Sequence, residues 1–164
     1  MSYTLKTLAQ RVASDGSEEA IKTAARRIEH WGAAGLMALA SIEFGPKAIG
    51  RGRVRRYAEE TLPWCLLWAA LADRGFGIHT MAGTTQAIEF ERIRNKQEWK
   101  WFRQARRGEG PALFLFDESA GIREPGTRYG LGHFKFKLAR SPIELPDGWS
   151  GGVFLNLTAV YANK

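Results

Sequence analysis

Hydrophobic residues recur at helical spacing near the start of the chain, which predicts two successive helices. The first covers residues 3–12, and the second begins after the turn Asp15-Gly16-Ser17, with Ser17 as its N-cap. Gly32 and Gly35 mark the end of the second helix. The predicted apolar faces comprise Leu5, Leu8, Ala9 and Val12, followed by Ile21, Ala24, Ala25, Ile28 and Trp31.

A third helix is predicted between Thr61 and Asp73, where the chain is apolar on nearly every side. Thr61 is its expected cap, Pro63 fits the first turn, and Asp73-Arg74-Gly75 ends it. A helix without a polar face belongs in the interior, so this segment is expected to form the centre of the core.

The second half of the chain has a different pattern. Residues 84–109 fit either a strand, through Ile88 and Phe90, or a helix. From residue 110 onward, the runs PALFLFDES, GHFKFKLARSP and GGVFLNLTAVYA are separated by Gly/Pro-rich turns, which predicts a small antiparallel sheet. Alternation would place Phe134, Phe136 and Leu138 on one face and Lys135 and Lys137 on the other.

Length and composition limit the class of protein. The 164 residues, 45% hydrophobic, fit one globular domain or a small domain with an appendage. Apolar stretches are shorter than a spanning helix needs and no signal segment opens the chain, so we expect a cytoplasmic protein without membrane contact. A single cysteine, Cys65, excludes an internal disulfide or a multi-thiolate metal site.

Basic residues are concentrated in two places. The net charge is +7 and the sequence pI about 9.9, which favours a polyanionic partner. One group lies on the outer face of the second helix and the other in a glycine-flanked loop that is typical of a wing. The helix pair is therefore predicted to be a helix-turn-helix, although its basic face also fits an ordinary solvated helical bundle. The two groups comprise Lys22, Arg26, Arg27 and His30, then Lys47, Arg51, Arg53, Arg55 and Arg56.

Three segments resemble the MerR-type winged helix-turn-helix family. RVRRYAEETL followed by LLWAALADRGFGIHTM looks like the wing and the helices after it, and RRIEHWGAAGL is similar to the recognition helix. The resemblance covers residues 3–83. It implies a helical winged helix-turn-helix domain. Together with the β-rich pattern from residue 110 onward, the expected fold class is α+β, with this domain followed by a small antiparallel β-sheet region.

The resemblance also implies roles for individual residues. Arg55 and Tyr57 match the wing arginine and the following tyrosine, which contact the DNA backbone and support the wing. Arg26 and Arg27 match the exposed start of the recognition helix, and His30 matches an aromatic position that faces DNA. Two residues depart from the pattern, because Glu29 replaces a phosphate-binding arginine and Cys65 lacks the partners of thiolate sensors. The expected DNA-binding residues are Lys22, Arg26, Arg27, His30, Arg51, Arg53, Arg55, Arg56 and Tyr57.

The expected organisation is a DNA-binding domain over residues 1–83, a connecting or dimerising segment over 84–109, and a β-rich region over 110–164. MerR-type regulators dimerise through a long helix after the winged domain, and QAIEFERIRNKQEWKWFRQARR is its possible counterpart. We therefore expect a homodimeric transcriptional regulator of double-stranded DNA, with no cofactor. The β-rich region fits a ligand-binding module, a dimerisation sheet or a cap.

Two other classes compete with this interpretation. A basic and aromatic interaction module is supported by Trp99, Trp101 and Phe102 beside several arginines. The winged-helix resemblance also fits a DNA-bending recombination factor. An enzyme is not expected, because the chain lacks a nucleophile elbow and a phosphate-binding glycine loop. The residues of the chain that come nearest to a catalytic acid–base group are Asp117, Glu118, Glu124 and His133.

Overall fold

The computed structural model of the chain describes residues 2–40, 55–94, 107, 113–116, 136–139 and 153–162. These residues are mostly helical with small antiparallel sheets, which agrees with the predicted α+β fold class. The first compact unit spans Met1–Ile78 and the second His79–Asn163. The boundary predicted after residue 83 therefore lies inside a helix of the second unit.

The first unit begins with a strand and two helices. Strand β1, Ser2–Thr4, leads into α1, Leu5–Val12, whose N-cap Thr4 accepts a hydrogen bond from the backbone N–H of Thr7 at 3.1 Å. Helix α2, Glu18–Ala33, begins at the predicted cap, since Ser17 Oγ accepts from the backbone N–H of Ala20 at 3.2 Å. The two helices pack against each other.

The remaining elements of this unit are a short helix, a strand and a long helix. Helix α3, Leu36–Leu39, follows Gly35, whose φ of +80° is the left-handed conformation that ends α2. Strand β2, Arg56–Ala58, precedes α4, Thr61–Ala72. Gly75, with φ of +83°, lies in the turn after α4, as the sequence predicts.

The predicted cap of α4 is wrong. Thr61 is the first helical residue, and the N-cap is Glu60, whose side chain makes no capping hydrogen bond. The side chain of Thr61 is fully buried, and among the described residues its hydroxyl has no hydrogen-bond partner. Packing in the interior therefore takes precedence over the local preference of threonine for a cap.

Strands β1 and β2 form an antiparallel ladder that joins the start of the first unit to the segment before α4. Ser2 lies opposite Ala58, Tyr3 opposite Tyr57, and Thr4 opposite Arg56. The ladder connects residues more than fifty positions apart. It therefore fixes Arg56, at the end of the glycine-flanked basic loop that begins at Lys47 in the sequence, to the start of α1.

Helix α4 lies in the core, as its apolar sequence predicts. Trp68 is fully buried, and its ring meets that of Trp31 on α2 edge to face, with centroids 5.7 Å apart. The ring centroid of Trp64 lies 6.1 Å from that of Trp68. Eight residues of α4 are buried, namely Thr61, Trp64, Cys65, Leu66, Leu67, Trp68, Ala69 and Leu71.

The second unit contains a long helix, a sheet and a short helix. Helix α5, Ile78–Arg94, covers the first part of the region 84–109, where the sequence fits either a helix or a strand; residues 95–106, 108 and 109 lie outside the described residues. Strands β3, Leu113–Phe116, β4, Phe136–Ala139, and β5, Val153–Asn156, form the predicted antiparallel sheet. The strand order is β4-β3-β5, with Phe116 opposite both Phe136 and Val153. Phe134 and Lys135, which are predicted to belong to the same strand as Phe136, lie outside the described residues.

The last apolar run is only partly a strand. Helix α6, Leu157–Ala162, follows β5 directly and contacts β3 and β5. The side-chain oxygen Oδ1 of Asn156 accepts a hydrogen bond from the backbone N–H of Ala159 at 3.1 Å, which starts the helix. None of the helices within the described ranges combines the length and the apolar character needed to cross a membrane.

Replacement of Ser17 by alanine is expected to lower the free energy of unfolding by about 1 kcal/mol, because it removes the side-chain cap of α2. It also removes a side-chain hydrogen bond to Asp15; hydrogen bonds from the Ser17 side chain and backbone lower the pKa of this carboxyl. Equilibrium urea denaturation of Ser17→Ala measures the change, with Ser17→Thr as the matched control that keeps a capping oxygen. Equal stability of the two variants would contradict the capping role.

Candidate nucleic-acid interface

The exposed face of α2 carries a row of residues one helical turn apart. Lys22, Arg26, Glu29 and Ala33 follow the spacing i, i+4, i+7 and i+11, and all four are exposed. We name these four residues the α2 row. It extends over about 16 Å of the helix axis. His30 is also exposed, one turn beyond Arg26.

The two cations of the α2 row differ in their partners. Lys22 Nζ lies 2.7 Å from a carboxylate oxygen of Glu18, and the side chains are 65% and 82% exposed. Such a pair contributes at most about 0.5 kcal/mol and exchanges readily for another anion. Arg26 forms no ion pair among the described residues. Both cations are therefore accessible to an anionic ligand.

Arg27 points to a different part of the first unit. Its Nη1 donates to Oδ1 of Asp73 at 2.7 Å, and the two side chains are 37% and 53% exposed. This ion pair ties α2 to the residue that follows α4. The structure thus places Arg27 in a contact between α2 and the end of α4, separate from the α2 row.

The end of the basic loop lies beside α2. A methyl group added to Gly32 would be 3.6 Å from Nη1 of Arg55, so this guanidinium lies against the last turn of the helix. Arg56 is exposed at the start of β2, and its Nη1 donates to Ser2 Oγ at 3.4 Å. We name Arg55 and Arg56 the wing stem. The other two arginines of this loop, Arg51 and Arg53, lie outside the described residues.

Tyr57 directly follows the wing stem in the chain and is buried. Only 1% of the residue is exposed, so its side chain is not accessible to a ligand in this conformation. Burial raises the pKa of its hydroxyl, while a hydrogen bond with Arg55 and the positive charge of that residue act in the opposite direction. Glu29 raises the same pKa through its charge. Of the two roles expected for Tyr57, the geometry accommodates support of the wing.

The tertiary structure adds residues that the sequence analysis did not select. Ser2 and Asp73 hold Arg56 and Arg27, respectively, across long separations in the chain. No local pattern could have identified either contact, because the partners are 54 and 46 positions apart. The fold thus brings Arg55 of the wing stem next to the last turn of α2, whereas it directs Arg27 toward the end of α4.

Other chemistry in the described residues is limited. A polar groove of about 330 Å³ lies along the turn between α1 and α2 and includes Asp15, Glu19 and Asp73.

Burial raises the pKa of the Cys65 thiol, which keeps it protonated and unreactive at neutral pH. Within the described ranges, no three His, Cys, Asp or Glu side chains are arranged to hold a metal ion. The predicted acid–base group and the aromatic cluster at 99–102 lie outside those ranges.

Comparisons of the chain with models of protein families, with curated protein sequences and with solved structures find no match.

Proposed function

We propose that the first unit is a winged helix-turn-helix of MerR-like type, and that the protein is a sequence-specific regulator that binds double-stranded DNA. The observation that carries this proposal is the β1–β2 ladder. It anchors the arginine-rich segment to a helix pair whose second member has an exposed row with two cations. A cationic helix beside a cationic loop suits a duplex, because one element enters a groove while the other follows the phosphates.

In this proposal α2 is the recognition helix. The major groove of B-form DNA is wide enough to admit an α-helix, and the α2 row is long enough to span several base pairs. Arginine forms paired hydrogen bonds with the O6 and N7 atoms of guanine, so Arg26 is assigned to a base. Lys22 and His30 are assigned to the groove edges, where cations meet phosphates.

The wing stem supplies contacts with the DNA backbone. Arg55 and Arg56 are exposed at the root of the basic loop; Arg56 lies opposite Thr4 in the β1–β2 ladder, and Arg55 directly precedes the ladder. Arg51 and Arg53 are assigned to the same surface from their sequence positions. Phosphate contacts of this kind set affinity and register but do not discriminate among sequences.

The functional form is proposed to be a homodimer that joins through the segment after α4, residues 84–109. Ile93, near the end of α5, is 76% exposed and offers an apolar position for such a contact. A twofold dimer would place two copies of α2 on half-sites in inverted repeat.

Selection of bound duplexes from a random DNA pool near physiological salt, with the mass measured in solution, tests this proposal. An enriched inverted repeat and a dimeric mass are expected. Absence of an enriched site, or equal binding of single-stranded RNA, would contradict it and favour a general polyanion surface.

Replacement of Arg26 by alanine is expected to weaken binding to the selected site by about 1–3 kcal/mol and to relax preference at one base position. The reason is the loss of a paired hydrogen bond to guanine. Arg74→Ala is the matched control, because Arg74 is exposed and donates to the carbonyl oxygen of Ala70 at the end of α4. Binding to each duplex is measured by fluorescence anisotropy. Equal weakening on all sequences would reassign Arg26 to the backbone.

A further inference from the structure

Glu29 is the exposed carboxylate of the α2 row, whose other members are two cations and an alanine. It follows Lys22 and Arg26 in the α2 row, and like Arg26 it forms no ion pair among the described residues. Gly32, three residues after Glu29, lies beside the wing stem, since a methyl group added to it would be 3.6 Å from Nη1 of Arg55. Glu29 therefore lies about one helical turn from the place where α2 approaches the wing stem.

A carboxylate at this position restricts what the surface can bind. DNA phosphates repel the carboxylate of Glu29. A carboxylate that is removed from water at an interface must accept a hydrogen bond from another donor, or its burial is unfavourable. In the major groove the donors are the amino groups of cytosine N4 and adenine N6. The N7 acceptor of adenine lies beside its amino group and repels a carboxylate, whereas cytosine presents no acceptor on its major-groove edge.

We infer that Glu29 determines specificity by accepting a hydrogen bond from the N4 amino group of a cytosine. The inference rests on the proposed function, since it requires the α2 row to lie in the major groove. Arg26 and Glu29 are separated by about 4.5 Å along the helix axis, and base pairs are stacked at about 3.4 Å. The two side chains therefore reach base pairs about one or two steps apart. The α2 row selects a guanine through Arg26 and a cytosine through Glu29 within this short interval.

The test compares the wild-type protein with Glu29→Gln and Glu29→Ala in the same selection from a random duplex pool. A glutamine amide forms paired hydrogen bonds with adenine N6 and N7. Glu29→Gln is therefore expected to shift one position of each half-site from cytosine to adenine, with at least a tenfold fall in the ratio of cytosine to adenine. Glu29→Ala is expected to lose the cytosine preference without a gain for adenine.

Glu60→Gln is the matched control, because Glu60 is exposed, lies outside α2 and loses the same charge. It is expected to select the wild-type site. Unchanged base preference in Glu29→Gln, or affinity raised equally for all sequences, would overturn the inference and leave the proposed function intact. The second outcome would mean that Glu29 only offsets the charge of the wing stem. A wild-type protein that enriches no site would overturn both proposals.

Discussion

Replacement of Trp68 by alanine is expected to lower the free energy of unfolding of the first unit by about 3–5 kcal/mol, as large cavities at buried aromatic positions do. Trp68 is fully buried and contacts Trp31 edge to face, with Trp64 on the same helix nearby. Removal of the indole ring leaves a void that the neighbouring tryptophans cannot fill without a change of rotamer. This is a substantial part of the stability of a small domain.

Urea denaturation at low temperature, followed by far-UV circular dichroism, measures the effect. Trp68→Phe is the control, because it keeps a ring and is expected to lose clearly less stability than alanine. Glu60→Gln supplies a second control at an exposed position. A loss below about 1 kcal/mol for Trp68→Ala would mean that the contact with Trp31 does not hold α2 in place.

The same contact links core packing to the proposed DNA binding. Trp31 lies on the buried side of α2, opposite the α2 row, so the packing of Trp68 orients the exposed residues. Trp68→Phe, where it remains folded, is therefore expected to weaken specific binding more than non-specific binding. The reason is that base contacts depend on the direction of α2, whereas phosphate contacts tolerate small shifts.

Replacement of both Arg55 and Arg56 by alanine is expected to weaken binding to all duplexes about 30-fold at 0.15 M salt, if each arginine neutralises one phosphate. The slope of log affinity against log salt is expected to fall by about 1.8, because two fewer counterions are released. Base preference is expected to stay the same, since the wing stem is assigned to the backbone.

Fluorescence anisotropy on the selected duplex and on a scrambled duplex, over a series of salt concentrations, measures both quantities. Arg74→Ala is the control for loss of an exposed arginine outside the proposed interface. A slope equal to that of the wild type would exclude Arg55 and Arg56 from the interface. A changed base preference would instead place one of them in a groove.

The elements with strong local signals could be predicted without a structure. The Ser17 cap, the glycine after α2 and the apolar face of α1 depend on residues within one or two turns of each other. The interior position of α4 follows from its composition, because a helix that is apolar on all sides must be buried. The three-stranded sheet follows from alternating runs separated by turns.

DNA binding, the homodimer and the individual contacts stay predictions that rest on sequence pattern and geometry. The cationic residues of α2 could be selected from the sequence because they repeat at helical spacing. Their separate roles could not, since Arg26 and Arg27 are neighbours in the sequence but lie about 100° apart around the helix axis.

The sequence by itself determined where α2 begins and ends, which segment is central and where positive charge is concentrated, because these depend on neighbouring residues. Only the tertiary structure decided that β1 pairs with β2, that Arg27 reaches Asp73 and that Tyr57 is buried. Each of these depends on segments that are distant in the chain and meet only when the core has formed. Local propensity contains no information about contacts between distant segments, since Arg27 and Tyr57 could equally be exposed to solvent in another fold.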